Sequence, residues 1–180
     1  EHMTELVNDL YLLSLSDVSA LVCDKEPQLL DQIVREAVGA ARSKLDDHNL
    51  SIITTIETPV SVIGDARRLR QIIDNLLENC YRYTRPNDEI TVTLNKQKAW
   101  SELVVTDTGP GVNKDEMSML FERFYRADKS RSRQHGGTGL GLSLVKALVE
   151  AHGGQVRAFK ASSGGLGISI KLPIHNKQNG

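Results

Sequence analysis

Segments with strand-like sequence occur mostly in adjacent pairs along this chain, and that order restricts the fold more than any other feature. The paired segments are rich in β-branched or alternating apolar residues, and they span 51–57 with 60–63, 89–95 with 102–107, and 155–160 with 167–172. Helical patterns separate the pairs instead of alternating with single strands. This order favours an α+β sandwich with a mixed sheet over a doubly wound parallel sheet.

Helical apolar spacing marks the segments between the strand pairs. We expect helices over about 27–45, 65–83, 114–124 and 139–152. Pro27 suits the first turn of the first helix, and Asp65 suits the N-cap of the second. With 180 residues, the chain is long enough for one domain of about 150 residues and an appendage.

The N-terminal residues differ from the rest of the chain. Residues 3–15 place Leu6, Leu10 and Leu13 at helical spacing, and the serine-rich stretch that follows is typical of a linker. We therefore divide the chain into a helix end and linker at 1–20, a main domain at 21–175 and a tail at 176–180.

Composition excludes some classes of protein. A formal net charge of −1 argues against a nucleic-acid partner, because such binders usually carry a large basic excess. No apolar run approaches the roughly 20 residues of a membrane span, and no signal peptide opens the sequence. Cys23 and Cys80 lack metal-ligand spacing, and the 5 histidines are scattered. We expect no structural metal, a small buried side chain at Cys80 and a reducing compartment.

A carboxylate at the end of a predicted strand is the first candidate for ligand binding. Asp107 is followed by Gly109, Pro110 and Gly111. The acid could accept a hydrogen bond from an exocyclic amine, which adenine has and guanine lacks at the corresponding position, and the glycines would let the backbone approach a base. The same residues also suit a plain turn after a strand, so both interpretations stay open.

Two asparagines share one face of the 65–83 helix, because Asn75 and Asn79 are one turn apart. The amide oxygen of Asn79 is a suitable ligand for Mg²⁺, which takes few protein ligands and lets phosphates supply the rest. Arg82 could reach a phosphate, and the ring of Tyr83 could pack on ribose or base. A solvated helix face is the alternative. Asparagine is a poor helix former, however, and residues that are locally unfavourable for their secondary structure concentrate at functional sites.

A glycine-rich segment at 137–141 opens the last predicted helix. Backbone N–H groups at a helix start attract phosphate, although glycines there can also serve close packing. The charged loop before it suits a lid over a triphosphate, or simply a solvated loop. A dinucleotide fingerprint is disfavoured, because its glycines would follow a strand directly. The loop's basic residues are Lys129, Arg131 and Arg133. The aromatic residues Phe121, Phe124 and Tyr125 could anchor the loop to the core, or they could simply be part of the core.

Together these segments resemble the ATP-binding catalytic domain of two-component sensor histidine kinases, in the GHKL superfamily with gyrase, Hsp90-type and MutL-type ATPases. The resemblance covers about residues 27–173. Its motifs are Asn75-Leu-Leu-Glu-Asn79-Cys-Tyr-Arg82-Tyr83-Thr84 (N box), Asp107-Thr-Gly-Pro-Gly111 (G1), Phe121-Glu-Arg-Phe124-Tyr-Arg126 (F box) and Gly137-Thr-Gly139-Leu-Gly141-Leu (G2). Residues 6–14 resemble the end of the second helix of the dimerisation and phosphoacceptor domain, and are similar to the BaeS-type envelope-stress sensors.

The resemblance implies a Bergerat fold, a two-layer α/β sandwich with a mixed, mostly antiparallel sheet and three helices, after a short helical remnant. It also implies ATP and Mg²⁺ as cofactors, with Asp107 on the adenine amine and Asn79 on the metal. The residues implied to contact phosphates, ribose or base are Asn75, Arg82, Tyr83, Gly109, Gly111, Phe124, Arg126, Thr138, Gly139, Leu140, Gly141 and Leu142. Of these, Asn75, Arg82 and Arg126 are implied to act in catalysis.

The activity implied is transfer of the ATP γ-phosphate to a protein histidine. ATPases resembling gyrase carry a glutamate, as base for water, four residues before the metal asparagine. Asn75 stands there in this chain and cannot take a proton, so hydrolysis is disfavoured. The family's acceptor histidine, followed by Glu or Asp early in a helix, has no match, since the histidines in other contexts are His2, His48, His135, His152 and His175.

We therefore expect a fragment that binds ATP-Mg²⁺ and does not label itself. The implied partners are the protein's own dimerisation and phosphoacceptor domain, a cognate response regulator and a second copy in a full-length homodimer. The implied location is the bacterial cytoplasm for this segment and the inner membrane for the full-length protein. The alternatives are an ATPase that drives a conformational clamp, and a non-catalytic nucleotide-binding or partner-holding module.

Overall fold

The computed structural model describes residues 24–57, 59–127 and 138–175. Its helices are α1 (Leu30–Asp46), α2 (Ala66–Tyr83) and α3 (Gly141–Ala151), with short 3-10 turns at Lys114–Glu116 and Met119–Phe121. The strands are β1 (Glu26–Leu29), β2 (Ser51–Ile56), β3 (Ser61–Gly64), β4 (Glu89–Gln97), β5 (Trp100–Asp107), β6 (Gln155–Lys160) and β7 (Leu166–Pro173). The expected N-terminal helix and linker, Cys23, the loop's basic residues, Gly137 and the tail lie outside the described residues, so the division at 1–20 and 176–180 stays a prediction.

The main sheet has five strands in the order β2-β4-β5-β7-β6. Strand β2 runs parallel to β4, while the β4–β5, β5–β7 and β6–β7 pairs are antiparallel. Strands β1 and β3 form a separate antiparallel pair. The sheet is therefore mixed and mostly antiparallel, which confirms the expected fold class.

The core lies between the main sheet and the helices. On β4, the side chains of Ile90, Val92 and Leu94 are buried and alternate with half-buried threonines, as expected for a sheet covered on one face. The predicted inward faces of α2 and α3 are confirmed by burial of Leu69, Ile72, Ile73, Leu76, Leu77 and Cys80 on the first, and of Leu144, Val145, Leu148 and Val149 on the second. This arrangement is a two-layer sandwich.

The prediction that Pro27 begins the first helix is wrong. Pro27 lies in β1 opposite Ile63, and α1 begins at Leu30, whose N–H donates to the carbonyl of Val60 at 2.8 Å. Proline lacks an N–H, but it is tolerated at the edge of a two-stranded ladder. Pairing with β3 therefore overrides the preference of proline for a first helical turn.

The predicted helix at 114–124 is also wrong, since the two 3-10 turns take its place. Asn113 and Glu116 form a capping box at the first turn, yet Phe124 ends the segment with a φ of 62°. Such a backbone conformation is outside any right-handed helix. Nor does α3 include Gly139, whose φ is 72°.

Within the described residues, we find no helix that combines the length and apolar character of a membrane span.

Candidate nucleotide site

Asp107 ends β5 with its carboxylate held by backbone amides. The side chain is buried, and its Oδ1 accepts N–H groups from Gly109 at 2.9 Å and from Leu166 at 3.3 Å. Among the described residues both donors reach Oδ1, so Oδ2 is the oxygen left to accept from a ligand. A fixed acceptor at a strand end suits recognition of an exocyclic amine, as the sequence predicts.

The environment of Asp107 disfavours its charged form. Burial raises the pKa of its carboxyl above the ordinary value, the amides of Leu166 and Gly109 oppose that shift, and the charge of Asp88 adds to it. Burial, with a contribution from the charge of Asp107, also raises the pKa of the Cys80 thiol in α2. Cys80 is therefore a protonated, buried side chain, which confirms its predicted packing role.

The turn between β6 and β7 completes the support of Asp107, and the sequence interpretation missed it. Ser163 Oγ donates to the Asp107 carbonyl at 3.0 Å, and a Cβ at Gly165 would collide with the backbone and carboxylate of Asp107. Gly164 already supplies the positive φ of the turn, at 103°. A second, adjacent glycine was the available signal that this turn packs against another backbone segment.

We expect Gly165→Ala to displace Asp107 and to weaken nucleotide binding by about tenfold, because the added Cβ has no space. Overpacking of this kind destabilises by about 1–3 kcal/mol, which urea unfolding can measure. The matched control is Gly39→Ala in α1, where a Cβ meets nothing within 4 Å and should stabilise the helix by up to about 1 kcal/mol. Equal unfolding free energies for the wild type and Gly165→Ala would contradict this assignment.

Helix α2 presents both asparagines on one side. Asn75 Nδ2 donates to the Gln71 carbonyl at 2.9 Å. A Cβ at Gly141 would lie 3.0 Å from Asn75 Oδ1, so α2 and α3 approach closely at this point. Asn79 is half-buried, and its side chain makes no hydrogen bond to another described residue. Its amide oxygen is thus available to a ligand.

The end of α2 carries Arg82 and Tyr83, the predicted phosphate-binding cation and the predicted stacking ring. Arg82 Nε donates to Glu78 Oε1 at 2.9 Å, and Glu78 Oε2 accepts from Lys44 of α1 at 2.6 Å. A phosphate contact by Arg82 would therefore compete with an existing ion pair. Tyr83 is partly exposed, and its carbonyl lies 3.3 Å from where a Cβ of Gly109 would be, so α2 ends against the turn after Asp107.

Helix α3 begins without a side-chain cap. Its first N–H groups therefore have no partner within the helix or from a capping side chain, which makes this helix start a suitable anion site. Leu140 precedes it with a fully buried side chain, and Leu142 packs partly against the core. Only the backbone of these two leucines could line a phosphate site. Thr138 is exposed, and its Oγ1 accepts the N–H of Leu140 at 3.2 Å.

The two ends of the 124–139 segment meet through their backbones. The N–H of Phe124 donates to the carbonyl of Gly139 at 2.9 Å, and both residues have positive φ. Phe124 is 61% exposed, so it is not a core residue, whereas Phe121 packs partly against the core. Arg126 is half-buried shortly after this contact.

These contacts bring the predicted residues into two groups joined by α2. One group surrounds Asp107 and includes Gly109, Gly111 and Tyr83, with Gly111 packed against Gly164. The other surrounds the start of α3 and includes Asn75, Gly139, Gly141 and Phe124. No cluster of three His, Cys, Asp or Glu side chains suited to a metal occurs in the described residues. The structure thus places a buried acid, a helix with two carboxamides and an uncapped helix start in one part of the fold, the groups that the sequence predicts for binding a nucleotide.

Comparisons with known proteins identify the family of this chain. Residues 64–176 match the family described as histidine kinase-, DNA gyrase B- and HSP90-like ATPase. The chain is similar to the signal transduction histidine-protein kinase BaeS of Escherichia coli, with 38% identity over 96% of this chain and 37% of BaeS. It is likewise 38% identical to the probable sensor histidine kinase TcrY of Mycobacterium tuberculosis, over 99% of this chain and 37% of TcrY.

A solved structure, the mycobacterial sensor histidine kinase MprB, superposes with a TM-score of 0.73 at 32% identity, covering 84% of this chain and 98% of that one. The chain therefore belongs to the histidine kinase-, DNA gyrase B- and HSP90-like ATPase family, and its relatives are sensor histidine kinases. It spans little more than a third of the length of BaeS and TcrY, with 37% of each covered.

Proposed function

We propose that this chain is the catalytic domain of a longer sensor kinase, and that it transfers the γ-phosphate of ATP to a histidine of that protein's phosphoacceptor domain. The observation that carries the proposal is the identity and setting of Asn75. Its carboxamide donates a hydrogen bond to the Gln71 carbonyl and adjoins Gly141. Gyrase-like ATPases have at this position a glutamate that acts as the general base for water. A carboxamide cannot deprotonate water, so transfer to a protein group is favoured over hydrolysis.

Asp107 would orient ATP through its adenine amine, which donates to Oδ2. The amides at the start of α3 would bind the phosphates, and Arg126 and Arg82 would add positive charge near the transferred group. Phosphoryl transfer needs mainly positioning and charge stabilisation. In the reaction the bond from the γ-phosphorus to the β–γ bridging oxygen breaks, a phosphorus–nitrogen bond to imidazole forms, ADP leaves and the imidazole gives up a proton.

The residues also fit a Mg²⁺ ion. The amide oxygen of Asn79 is a hard ligand with no hydrogen bond to another described residue, and the described residues hold no competing carboxylate cluster. Asn79 would thus supply the protein ligand, and ATP phosphates and water the others. When bound, the ion would neutralise phosphate charge.

The partners follow from the same proposal. The full-length protein would dimerise through its phosphoacceptor domain and would pass the phosphoryl group to a response regulator. This domain would lie in the bacterial cytoplasm and the full-length protein in the inner membrane. The absence of a large basic excess, with a net charge of −1, supports the expectation that nucleic acid is not a partner.

A transfer assay tests the proposal. Radiolabelled ATP is added to the 180-residue chain alone and to the chain mixed with a phosphoacceptor domain of a sensor histidine kinase. We expect no stable label on the chain alone, and an acid-labile, base-stable phosphate on the added domain, because the nucleotide site and the acceptor lie in different domains. Steady phosphate release at about 1 s⁻¹ without transfer would instead favour the ATPase alternative, because this rate lies within the ordinary range of enzyme turnover. Binding with neither reaction would favour a non-catalytic module.

A further inference from the structure

His152, directly after α3, is a buried titratable residue that takes no part in the proposed chemistry. Its Nε2 accepts the backbone N–H of Asp65 at 3.1 Å, and its Nδ1 lies 2.7 Å from the Leu148 carbonyl. A carbonyl can only accept, so Nδ1 carries the proton, and Nε2 must lack one to accept from Asp65. Both contacts require the neutral ring in a single tautomer.

The His152 ring packs tightly against a glycine. His152 is 8% exposed, and a Cβ at Gly64 would lie 2.6 Å from its Cδ2. The ring therefore fills the volume that a side chain at Gly64 would take. Asp65, whose N–H the ring accepts, is also the N-cap of α2, since its Oδ1 accepts the amides of Arg67 and Arg68. The His152 ring is thus hydrogen-bonded to the residue at which α2 begins.

Two contacts, one at each end of α3, define how this helix lies on α2. The start of α3 meets the middle of α2, where Gly141 approaches Asn75. The end of α3 meets the start of α2, where His152 binds Asp65. The helices are therefore antiparallel, and the two contacts are separated by about 15 Å along each helix at 1.5 Å per residue. A shift at one contact would be transmitted to the other, because both helices are rigid and packed.

We propose that His152 is a positioning residue for the nucleotide site, which fixes the register of α3 against α2 so that the phosphate-binding helix start meets Asn75. This role rests on the proposed function, because it concerns the same site. The role differs from the proposed function because His152 acts at the far end of α3 and does not contact the nucleotide.

The proposal carries a pH dependence with a definite sign. Burial lowers the pKa of His152, an effect that the Leu148 carbonyl and the charge of Asp65 oppose and the charge of Lys25 reinforces. The unfolded chain thus takes up its proton at a higher pH than the folded one. The stabilisation is complete above the ordinary value of about 6.5 and is lost as pH falls below it through the folded-state pKa. Protonation puts a hydrogen on Nε2, which then faces the Asp65 N–H and breaks the contact.

Two variants of the 180-residue chain test the role. His152→Phe keeps a planar, slightly larger ring and removes both hydrogen bonds, whereas His152→Gln keeps an acceptor for Asp65 and cannot titrate. The dissociation constant of a nonhydrolysable ATP analogue is measured by calorimetry from pH 7.5 to pH 5. In the nucleotide-free proteins, NMR follows the side-chain amide of Asn75 and the N–H of Gly141, a readout that does not depend on ATP binding.

At pH 7.5 we expect His152→Phe to weaken binding about fivefold and to shift both resonances, because only part of the effect of losing two hydrogen bonds reaches the distant nucleotide site. His152→Gln should stay within about twofold of the wild type at that pH. As pH falls through the lowered folded-state pKa of His152, the wild type should lose more affinity than His152→Gln, and titration of Asp107, common to both, cancels in that comparison. Identical pH profiles for the wild type and His152→Gln would overturn the proposal, and so would unmoved Asn75 and Gly141 resonances in a folded His152→Phe. No nucleotide binding by the wild type, with both resonances moving as expected, would instead refute the proposed function and leave the register assignment standing.

Discussion

Replacing Asp107 with asparagine is expected to weaken ATP binding by about tenfold to a hundredfold, the effect of losing a hydrogen bond to a charged acceptor. The amides of Gly109 and Leu166 would hold the new amide oxygen in the place of Oδ1. The NH₂ group would then face the adenine amine, so two donors would oppose each other. Calorimetry with ATP and with GTP measures the change, and selectivity for ATP should fall together with affinity.

The exposed Asp115→Asn, in the first 3-10 turn, is the matched control and should bind ATP like the wild type. The pH dependence gives a second readout. Since burial raises the pKa of Asp107, ATP affinity should begin to fall at a higher pH than for an ordinary aspartate. As pH falls, the folded state therefore takes up this proton before the unfolded state does. The contribution of Asp107 to folding stability thus decreases as pH rises from its ordinary pKa to its raised folded-state pKa. Unchanged ATP affinity in Asp107→Asn would remove the carboxylate from the base-binding role.

Replacing Asn79 with alanine is expected to abolish the Mg²⁺ dependence of ATP binding and to reduce affinity by a hundredfold or more, on the order of losing one metal ligand and its bridge to the phosphates. Asn79 lies one turn from Asn75 on α2, and its amide oxygen is available to a ligand. Titrations with and without Mg²⁺ should differ strongly in the wild type and coincide in the variant.

Asn95→Ala is a suitable control for this experiment. Asn95 lies on β4 next to buried Leu94, so it belongs to the sheet face away from the helices, and its loss should leave Mg²⁺ dependence intact. A variant at Asn79 that still binds ATP more tightly with Mg²⁺ than without would show that the metal rests on other groups.

Periodicity explains why the sequence predicted the core well. Helix α2 has apolar residues at helical spacing from Leu69 to Cys80, and all of them are buried, since nothing competes with that face for the core. Strands β4 and β5 alternate in the same clear way, with one face buried. The paired order of the strands favoured a mixed sheet over a doubly wound one, and the structure confirms the mixed sheet.

Local signals failed where distant segments decide the conformation. Pro27 suits a helix start in isolation, but pairing with Ile63 makes it part of a strand. Residues 114–124 have helical composition, but Phe124 is held in a left-handed conformation by its hydrogen bond to Gly139. Neither partner could be identified from the neighbouring sequence.

The sequence named the candidate site residues but not the contacts that support them. Asp107 and the asparagines could be proposed because motif residues follow one another at fixed spacing. Their supports come from elsewhere in the chain: Ser163 is hydrogen-bonded to Asp107 across 56 residues of sequence, Gly165 packs against Asp107, and His152 is hydrogen-bonded to Asp65 across 87 residues. Such contacts depend on the register of the whole sheet and of the α2–α3 pair, which no local pattern encodes.

The most direct test of the account is a crystal structure of the chain with Mg²⁺ and a nonhydrolysable ATP analogue. The account predicts the adenine amine within hydrogen-bond distance of Asp107 Oδ2, the metal at the amide oxygen of Asn79 and the phosphates at the start of α3. An analogue bound elsewhere, with Asp107 and Asn79 untouched, would contradict it.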